Sequence, residues 1–229
     1  MTRNILIGAA VLTMAAGMAW ASGGGPAPMG GGGSGMASAP RMTPQQAAEM
    51  QYNDGLKQQE KADRLREEAA TATDPKKKSK LEADTSKAYG KARGNFENAI
   101  KKDANMYPAQ GALGYVLRRL GDFEASLAAY AKALEIKPGY TPAIEYRGEA
   151  YLGLGRIDDA KAAYMTLFNA DRKRADELST AMTTWVEAKR QDPAGVDPKS
   201  LEEFSTWLSQ RLEIARQTTA LMPNTGSPW

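Results

Sequence analysis

Apolar residues recur at three- and four-residue spacing along much of the chain, the pattern of helices that bury one face. Thr43-Pro44 and Asp74-Pro75 each place a capping residue before a proline, which predicts that two helices start there. Gln46 adds a capping box to the first helix. The two apolar stripes are Ala48, Tyr52, Leu56, Ala62, Leu65 and Ala69, then Leu81, Ala88, Ala92, Phe96, Ala99 and Ile100. Residues 43–106 are therefore predicted to form a long helical hairpin.

The central stretch Tyr107–Arg174 repeats itself with a period of about 34 residues and no gap. Gly121 and Gly155 follow apolar runs, which predicts a helix end in the left-handed conformation. Gly114 and Gly148 lie inside helical patterns, where glycine costs about 1 kcal/mol against alanine, so close helix approach is expected there. Each 34-residue unit is thus predicted to be two helices. Thr141 and Pro142 are interpreted as the cap and first position of the second unit.

A further helix pair is predicted after the repeats. The apolar residues from Ala175 predict a helix to about Arg190, followed by a turn at 192–195. Asp197 and Pro198 then cap a last helix. Trp185 and Trp207 are interpreted as core residues from their helical spacing, the alternative being exposed anchors for a partner.

The repeated residues resemble the tetratricopeptide repeat (TPR) family, whose unit is a helix–turn–helix. The matching positions are Leu113-Gly114, Leu120-Gly121, Tyr130, Ala133 and Pro138, then Gly148, Tyr151, Leu154-Gly155, Ala160 and Tyr164. The resemblance implies an all-α fold, a TPR-like right-handed superhelix of helical hairpins with about eight helices. Arg172 stands where the family has proline, so the helix before it is expected to run on or bend.

The implied organisation has repeats at 107–140 and 141–174, a capping helix pair at 175–220 and a flexible tail at 221–229. Phe96 and Ala99 fall one period before Tyr130 and Ala133, but the register fails upstream of Lys87. Residues 43–106 are therefore interpreted as a degenerate repeat with both helices lengthened by a couple of turns. Trp229, in the tail, is interpreted either as a docking element or as folding back on the stack.

The first forty residues differ from the rest in composition. Residues 1–21 have the charged, apolar and A-x-A parts of a secretory signal peptide, and an uncleaved membrane anchor is the alternative. Residues 22–42 are Gly-rich and predict a disordered linker. The chain has no cysteine after the apolar segment for lipid attachment, so a periplasmic or secreted protein is expected. Membrane contact is expected only if the signal segment is retained.

The chain has a net charge of +3 and contains neither cysteine nor histidine. These facts argue against a zinc–thiolate site, a histidine base and a dedicated nucleic-acid binder, and no cofactor or metal is predicted. The dense basic run is Lys76, Lys77, Lys78 and Lys80. It is either a contact for an anionic partner or a solvated face offset by Glu67, Glu68 and Glu82, and the solvated face is the interpretation adopted.

The resemblance implies a protein or peptide partner, bound in a concave groove that the first helix of each repeat lines. It places seven residues at that groove: Tyr52, Tyr115, Arg118, Arg119, Glu145, Tyr146 and Glu149. The subfamily that grips a C-terminal carboxylate uses Lys and Asn in the groove. Those positions here are Gly111, Tyr115, Glu145 and Glu149, so that activity is not carried over.

Three functions remain open from the sequence. The first is a non-catalytic interaction scaffold or adaptor in the cell envelope. The second is a structural component that associates with itself as a homo-oligomer. The third is an enzyme using Glu145 and Glu149, which are four residues apart on one helical face.

Overall fold

The computed structural model describes residues 42–221, which form eight α-helices and no strand. The helices are α1 (Pro44–Thr71), α2 (Pro75–Lys102), α3 (Tyr107–Arg119), α4 (Phe123–Ile136), α5 (Thr141–Gly153), α6 (Ile157–Ala170), α7 (Arg172–Gln191) and α8 (Pro198–Leu221). The predicted all-α fold of helical hairpins with about eight helices is confirmed. The predicted signal peptide, the linker up to residue 41 and the tail from residue 222 lie outside the described residues. No helix between residues 42 and 221 combines the length and apolar character that a membrane crossing needs.

The two long helices begin as the sequence predicts. The Thr43 hydroxyl accepts from the Gln46 backbone N–H at 3.2 Å, and the Gln46 side chain accepts from the Thr43 backbone N–H at 2.9 Å. The Asp74 carboxylate accepts from the backbone N–H groups of Lys76 and Lys77 at 2.8 and 3.3 Å. These contacts satisfy backbone donors that the first helical turn leaves without partners.

The start of α5 contradicts the predicted cap. Tyr140, not Thr141, is the N-cap residue, and it makes no side-chain capping bond. Thr141 is already helical, and Pro142 follows it in the first turn. The Thr141 hydroxyl instead donates to the Asp171 carboxylate at 2.8 Å and so connects α5 to the next helical pair.

The junction between α6 and α7 also differs from the expectation that the helix runs on or bends at Arg172. Asp171 alone separates the two helices. Its backbone N–H donates to the Leu167 carbonyl at 2.7 Å, and its carboxylate accepts from the Arg174 backbone N–H at 3.2 Å. Asp171 therefore ends one helix and caps the next, and α7 begins before the predicted boundary at residue 175.

The helices pack as successive hairpins, with α1 on α2, α3 on α4 and α5 on α6. The first helices also contact one another, α1 with α3, α3 with α5 and α5 with α7. No comparable contact joins α2 with α4 or α4 with α6. A stack whose first helices lie closer together than its second helices curves toward the first helices, so their outer surfaces line the concave side.

The cores of the first two hairpins pair a glycine with an aromatic ring. Phe96, Tyr130 and Tyr164 are fully buried, one in each second helix. A Cβ atom on Gly114 would lie 2.5 Å from the Tyr130 ring, and one on Gly55 would overlap the Phe96 ring. The close helix approach predicted at Gly114 is confirmed. The left-handed helix ends are also confirmed, with φ of 84° at Gly121 and 69° at Gly155.

The last helix pair closes the described stack. Phe204 is fully buried, and both half-buried tryptophans contact it, Trp185 with ring centroids 5.9 Å apart and Trp207 at 6.0 Å. Asp197 accepts from the Ser200 backbone N–H at 2.8 Å at the start of α8. The interpretation of the two tryptophans as core residues agrees with these contacts.

Candidate partner-binding groove

Five of the seven predicted groove residues form one cluster, with Tyr115, Arg118 and Arg119 on α3 and Tyr146 and Glu149 on α5. The rings of Tyr115 and Tyr146 meet edge to face, with centroids 5.2 Å apart. The Arg118 guanidinium lies 5.4 and 5.3 Å from these two centroids, and that of Arg119 lies 5.0 Å from the Tyr115 centroid. These distances suit cation–π attraction, which strengthens when water is excluded. We call this set the Tyr–Arg cluster.

An ion pair joins α3 to α5 inside the Tyr–Arg cluster. Arg118 donates to the Glu149 carboxylate at 2.5 Å, with the arginine side chain 8% and the glutamate side chain 22% exposed. Burial alone lowers the pKa of Arg118, but Glu149 and the neighbouring tyrosines outweigh burial and raise it. The guanidinium therefore stays charged, and its loss would leave a largely buried carboxylate without a partner.

Glu145 lies apart from this cluster, in an ion pair that joins α5 to α7. Its side chain is only 5% exposed and accepts a hydrogen bond from Arg174. Burial raises the pKa of Glu145 to about 8, although Arg174 acts in the opposite direction. Arg174 also lies 3.5 Å from Glu177 and 3.9 Å from Asp171. Sequence reasoning missed Arg174 because its helix was not recognised before residue 175.

Asp63 on α1 is a second residue that sequence reasoning missed. Its carboxylate accepts from the Tyr89 hydroxyl at 2.5 Å and from the Tyr115 hydroxyl at 2.8 Å. Burial raises the pKa of both tyrosines, so both hydroxyls remain protonated donors. Asp63 thereby fixes Tyr115 from the hairpin side. No periodic signal identifies Asp63, since it lies in the region upstream of Lys87, where the sequence is out of register with the repeats.

Tyr52 on α1 packs against the same buried core as Tyr115 and Tyr146, at the side of Phe96. Its ring packs on Phe96, with centroids 5.8 Å apart. Burial, with smaller contributions from Tyr140 and Tyr107, raises its pKa to about 12. Tyr107 and Tyr140 form their own edge-to-face pair at 5.0 Å, at the starts of α3 and α5. Tyr52 therefore extends an aromatic surface at this end of the first helices.

The groove residues divide into two layers. Tyr115, Arg118 and Glu145 are buried and hold the first helices together. Arg119, Tyr146, Glu149 and Arg174 are half-buried and remain partly accessible above them. Surface depressions occur elsewhere, one beside Trp207 on α8 and one between α1 and α2. The groove residues therefore form a partly accessible surface over a buried layer.

This fold of stacked helical hairpins with a surface along its first helices defines a helical-repeat protein. Residues 117–183 match the sequence profile of a tetratricopeptide repeat family. The predicted resemblance to that family is thus confirmed for this segment, which overlaps both repeats. The matched segment covers less than half of the chain.

No curated protein matches the chain. Among solved structures, 45 chains match it. One of them is the first TPR of Spaghetti (RPAP3) bound to the HSP90 peptide SRMEEVD, at 17% sequence identity and a TM-score of 0.37. That alignment covers 71% of this chain and 95% of the other.

Proposed function

We propose that this protein is a non-catalytic scaffold that binds an extended segment of another protein along the surface of α3, α5 and α7. The observation that carries the proposal is the Tyr–Arg cluster, which brings two tyrosines and two arginines from successive first helices into contact. Tyrosine and arginine are the residue types that contribute most when an interface becomes buried.

The surface is already organised before a partner arrives. Asp63 holds Tyr115, Glu149 holds Arg118, and Glu145 holds Arg174. Side chains that keep one conformation lose little entropy on binding, so more of the contact energy remains as affinity. In this proposal the half-buried side chains of Arg119, Tyr146 and Glu149 contact the partner.

The same contacts favour a binding role over catalysis by the two glutamates. Glu145 and Glu149 are four residues apart, as an acid–base pair on one helical face requires. Each, however, is engaged with a different arginine, Glu145 with Arg174 and Glu149 with Arg118. The two carboxylates are therefore each engaged in joining neighbouring helices, Glu149 in joining α3 to α5 and Glu145 in joining α5 to α7.

We further propose that the protein acts in the cell envelope. This part of the proposal rests on the predicted signal peptide at 1–21. The partner would then be another exported or membrane-associated protein.

Site-specific photocrosslinking tests the groove assignment. A photoreactive amino acid at Arg119 or Glu149 should give discrete adducts in cells, because both side chains lie half-exposed on the proposed contact surface. Ala128 and Ala162 are matched control positions, since they are equivalent exposed residues on the second helices α4 and α6. Adducts that form equally well from the control positions, or from them alone, would contradict the groove.

A further inference from the structure

A cleft on the long hairpin lies outside the groove. It has a volume of about 340 Å³ and is bordered by Lys61 on α1 and by Asp84, Lys87 and Lys91 on α2, with Leu65 and Ala88 at its base. Both helices therefore contribute lysines to the lining of the same concavity. Neither the repeat pattern nor the proposed function uses these residues.

The cleft is on the side of the hairpin that α3 leaves uncovered. Asp63 faces α3, because it accepts from the Tyr115 hydroxyl, and Tyr89 donates to the same carboxylate. Lys61 and Lys87 each lie two residues before one of these, and residues two apart on a helix point to nearly opposite flanks. A ligand in the cleft would therefore not compete with a partner on the groove.

The lysines of the cleft have no carboxylate partners. The hairpin ion pairs in the described part of the chain are Lys57–Asp54, Arg64–Glu60 and Arg93–Glu97, and none involves a cleft lysine. Lys61, Lys87 and Lys91 are all exposed. With Asp84 as the single carboxylate, the lining carries a net charge of +2.

The positive charge continues along α2 beyond the cleft. The helix contains nine lysines and arginines against three acidic residues. Lys76, Lys80, Lys87 and Lys91 recur at four- and seven-residue spacing, which places them on one face over about 22 Å. Glu67, Glu68 and Glu82 make no ion pair with these lysines, so proximity in sequence does not neutralise the face.

We propose that this cleft binds a compact anion carrying two or more phosphate groups, held by Lys61, Lys87 and Lys91. A phosphate group carries up to two negative charges and three strong acceptor oxygens, which matches several converging ammonium donors. The lining contains lysines and no arginine. Ammonium groups act as point charges and suit tetrahedral phosphate, whereas planar carboxylates are best matched by the arginine fork.

Titration of the full chain with inorganic pyrophosphate tests the proposal, with binding measured by calorimetry near physiological salt. The variant Lys87→Gln/Lys91→Gln should weaken binding at least about tenfold, because it removes two charge-assisted hydrogen bonds. The variant Lys101→Gln/Lys102→Gln is the matched control, since it removes the same charge from the other end of α2. It should change affinity by less than about twofold, since exposed charges beyond a Debye length are screened.

A second arm distinguishes a soluble phosphate from a lipid headgroup. Sedimentation with vesicles that contain a bisphosphorylated phosphoinositide, compared with phosphatidylcholine vesicles, measures headgroup binding by the same variants. If pyrophosphate binds and only the Lys87→Gln/Lys91→Gln variant loses this binding, the ligand is a soluble phosphate. If only the vesicles bind, and only the same variant loses that binding, the phosphate belongs to a lipid. The proposal is overturned if neither probe binds, or if both variants weaken binding equally.

Discussion

The long hairpin of α1 and α2 and the regular repeats of α3 to α6 share the same packing at their base. In each repeat a buried aromatic ring lies in the second helix at the same position, Phe96, Tyr130 and Tyr164. Gly55 faces Phe96 as Gly114 faces Tyr130. The hairpin is therefore a repeat-like unit at its base, even though its sequence leaves the repeat register.

The difference between the two regions is an insertion on both sides of the turn. The segment from Gly55 to the end of α1 is eleven residues longer than the segment from Gly114 to the end of α3. The segment from the start of α2 to Phe96 is fourteen residues longer than the segment from the start of α4 to Tyr130. These are about three to four turns each, more than the couple of turns predicted. Lengthening both helices by similar amounts keeps the contact between Gly55 and Phe96 and extends the extra turns beyond it.

The two regions also hold their inner carboxylates differently. The hairpin carboxylate, Asp63, accepts from two tyrosine hydroxyls, whereas the repeat carboxylates Glu145 and Glu149 accept from arginines. Asp63 thus meets neutral donors, whereas Glu145 and Glu149 meet charged ones. The stack therefore uses hydroxyl contacts between the hairpin and α3, and charged contacts between the later helices.

The largest expected effect tests whether the glycine–ring contact of the long hairpin is equivalent to that of the first repeat. Gly55→Ala and Gly114→Ala should each lower the free energy of unfolding by about 2–3 kcal/mol, because the new methyl group would overlap a buried ring. Urea unfolding followed by circular dichroism measures this free energy.

Gly90→Ala is the control, since a Cβ there has no neighbour within 4 Å. It should raise the free energy of unfolding by about 1 kcal/mol through helix propensity alone. If Gly55→Ala behaved like Gly90→Ala, the hairpin base would not be packed as a repeat.

Local and periodic features of the fold were predictable from the sequence, and contacts across the stack were not. Capping by Thr43 and Asp74 depends on residues within one turn, so it could be read directly. The Thr141 hydroxyl bonds to Asp171 in the next helical pair, and no local pattern distinguishes that contact from a cap. Gly55 was missed because the insertion moves it 25 residues away from its periodic position.

The candidate site shows the same division between local and distant information. The repeat alignment placed Tyr115, Arg118, Tyr146 and Glu149 on adjacent helices, and the structure brings them into contact. It did not indicate that Arg118 would pair with Glu149, because that depends on the relative rotation of α3 and α5. Residues that come from the irregular parts of the chain, such as Asp63, have no periodic partner to reveal them.

The next prediction tests the contact between Glu145 and Arg174 through its dependence on pH. The pKa of Glu145 is about 8 when folded, against an ordinary value of 4.5. A raised folded pKa means that the stability contributed by the protonated carboxyl is complete below pH 4.5 and is lost as pH rises through 8. Between these values the free energy of unfolding of the protein should fall relative to that of Glu145→Gln as the pH rises.

The measurement is the free energy of unfolding of both proteins from pH 5 to 9. Glu135→Gln is the control, because it makes the same change at an exposed carboxylate on α4. A wild-type protein and a Glu145→Gln variant with parallel pH profiles would contradict the raised pKa.

The smallest expected effect tests the hydroxyl contacts that join the hairpin to α3. Asp63→Ala and Tyr115→Phe each remove one side of the same hydrogen bond, so their effects on the free energy of unfolding should be non-additive by about 1 kcal/mol. Asp63→Ala combined with Tyr52→Phe should be additive, since the Tyr52 hydroxyl makes no bond to Asp63. Additivity in both cycles would mean that Asp63 does not position Tyr115. Packing alone would then join the hairpin to the groove.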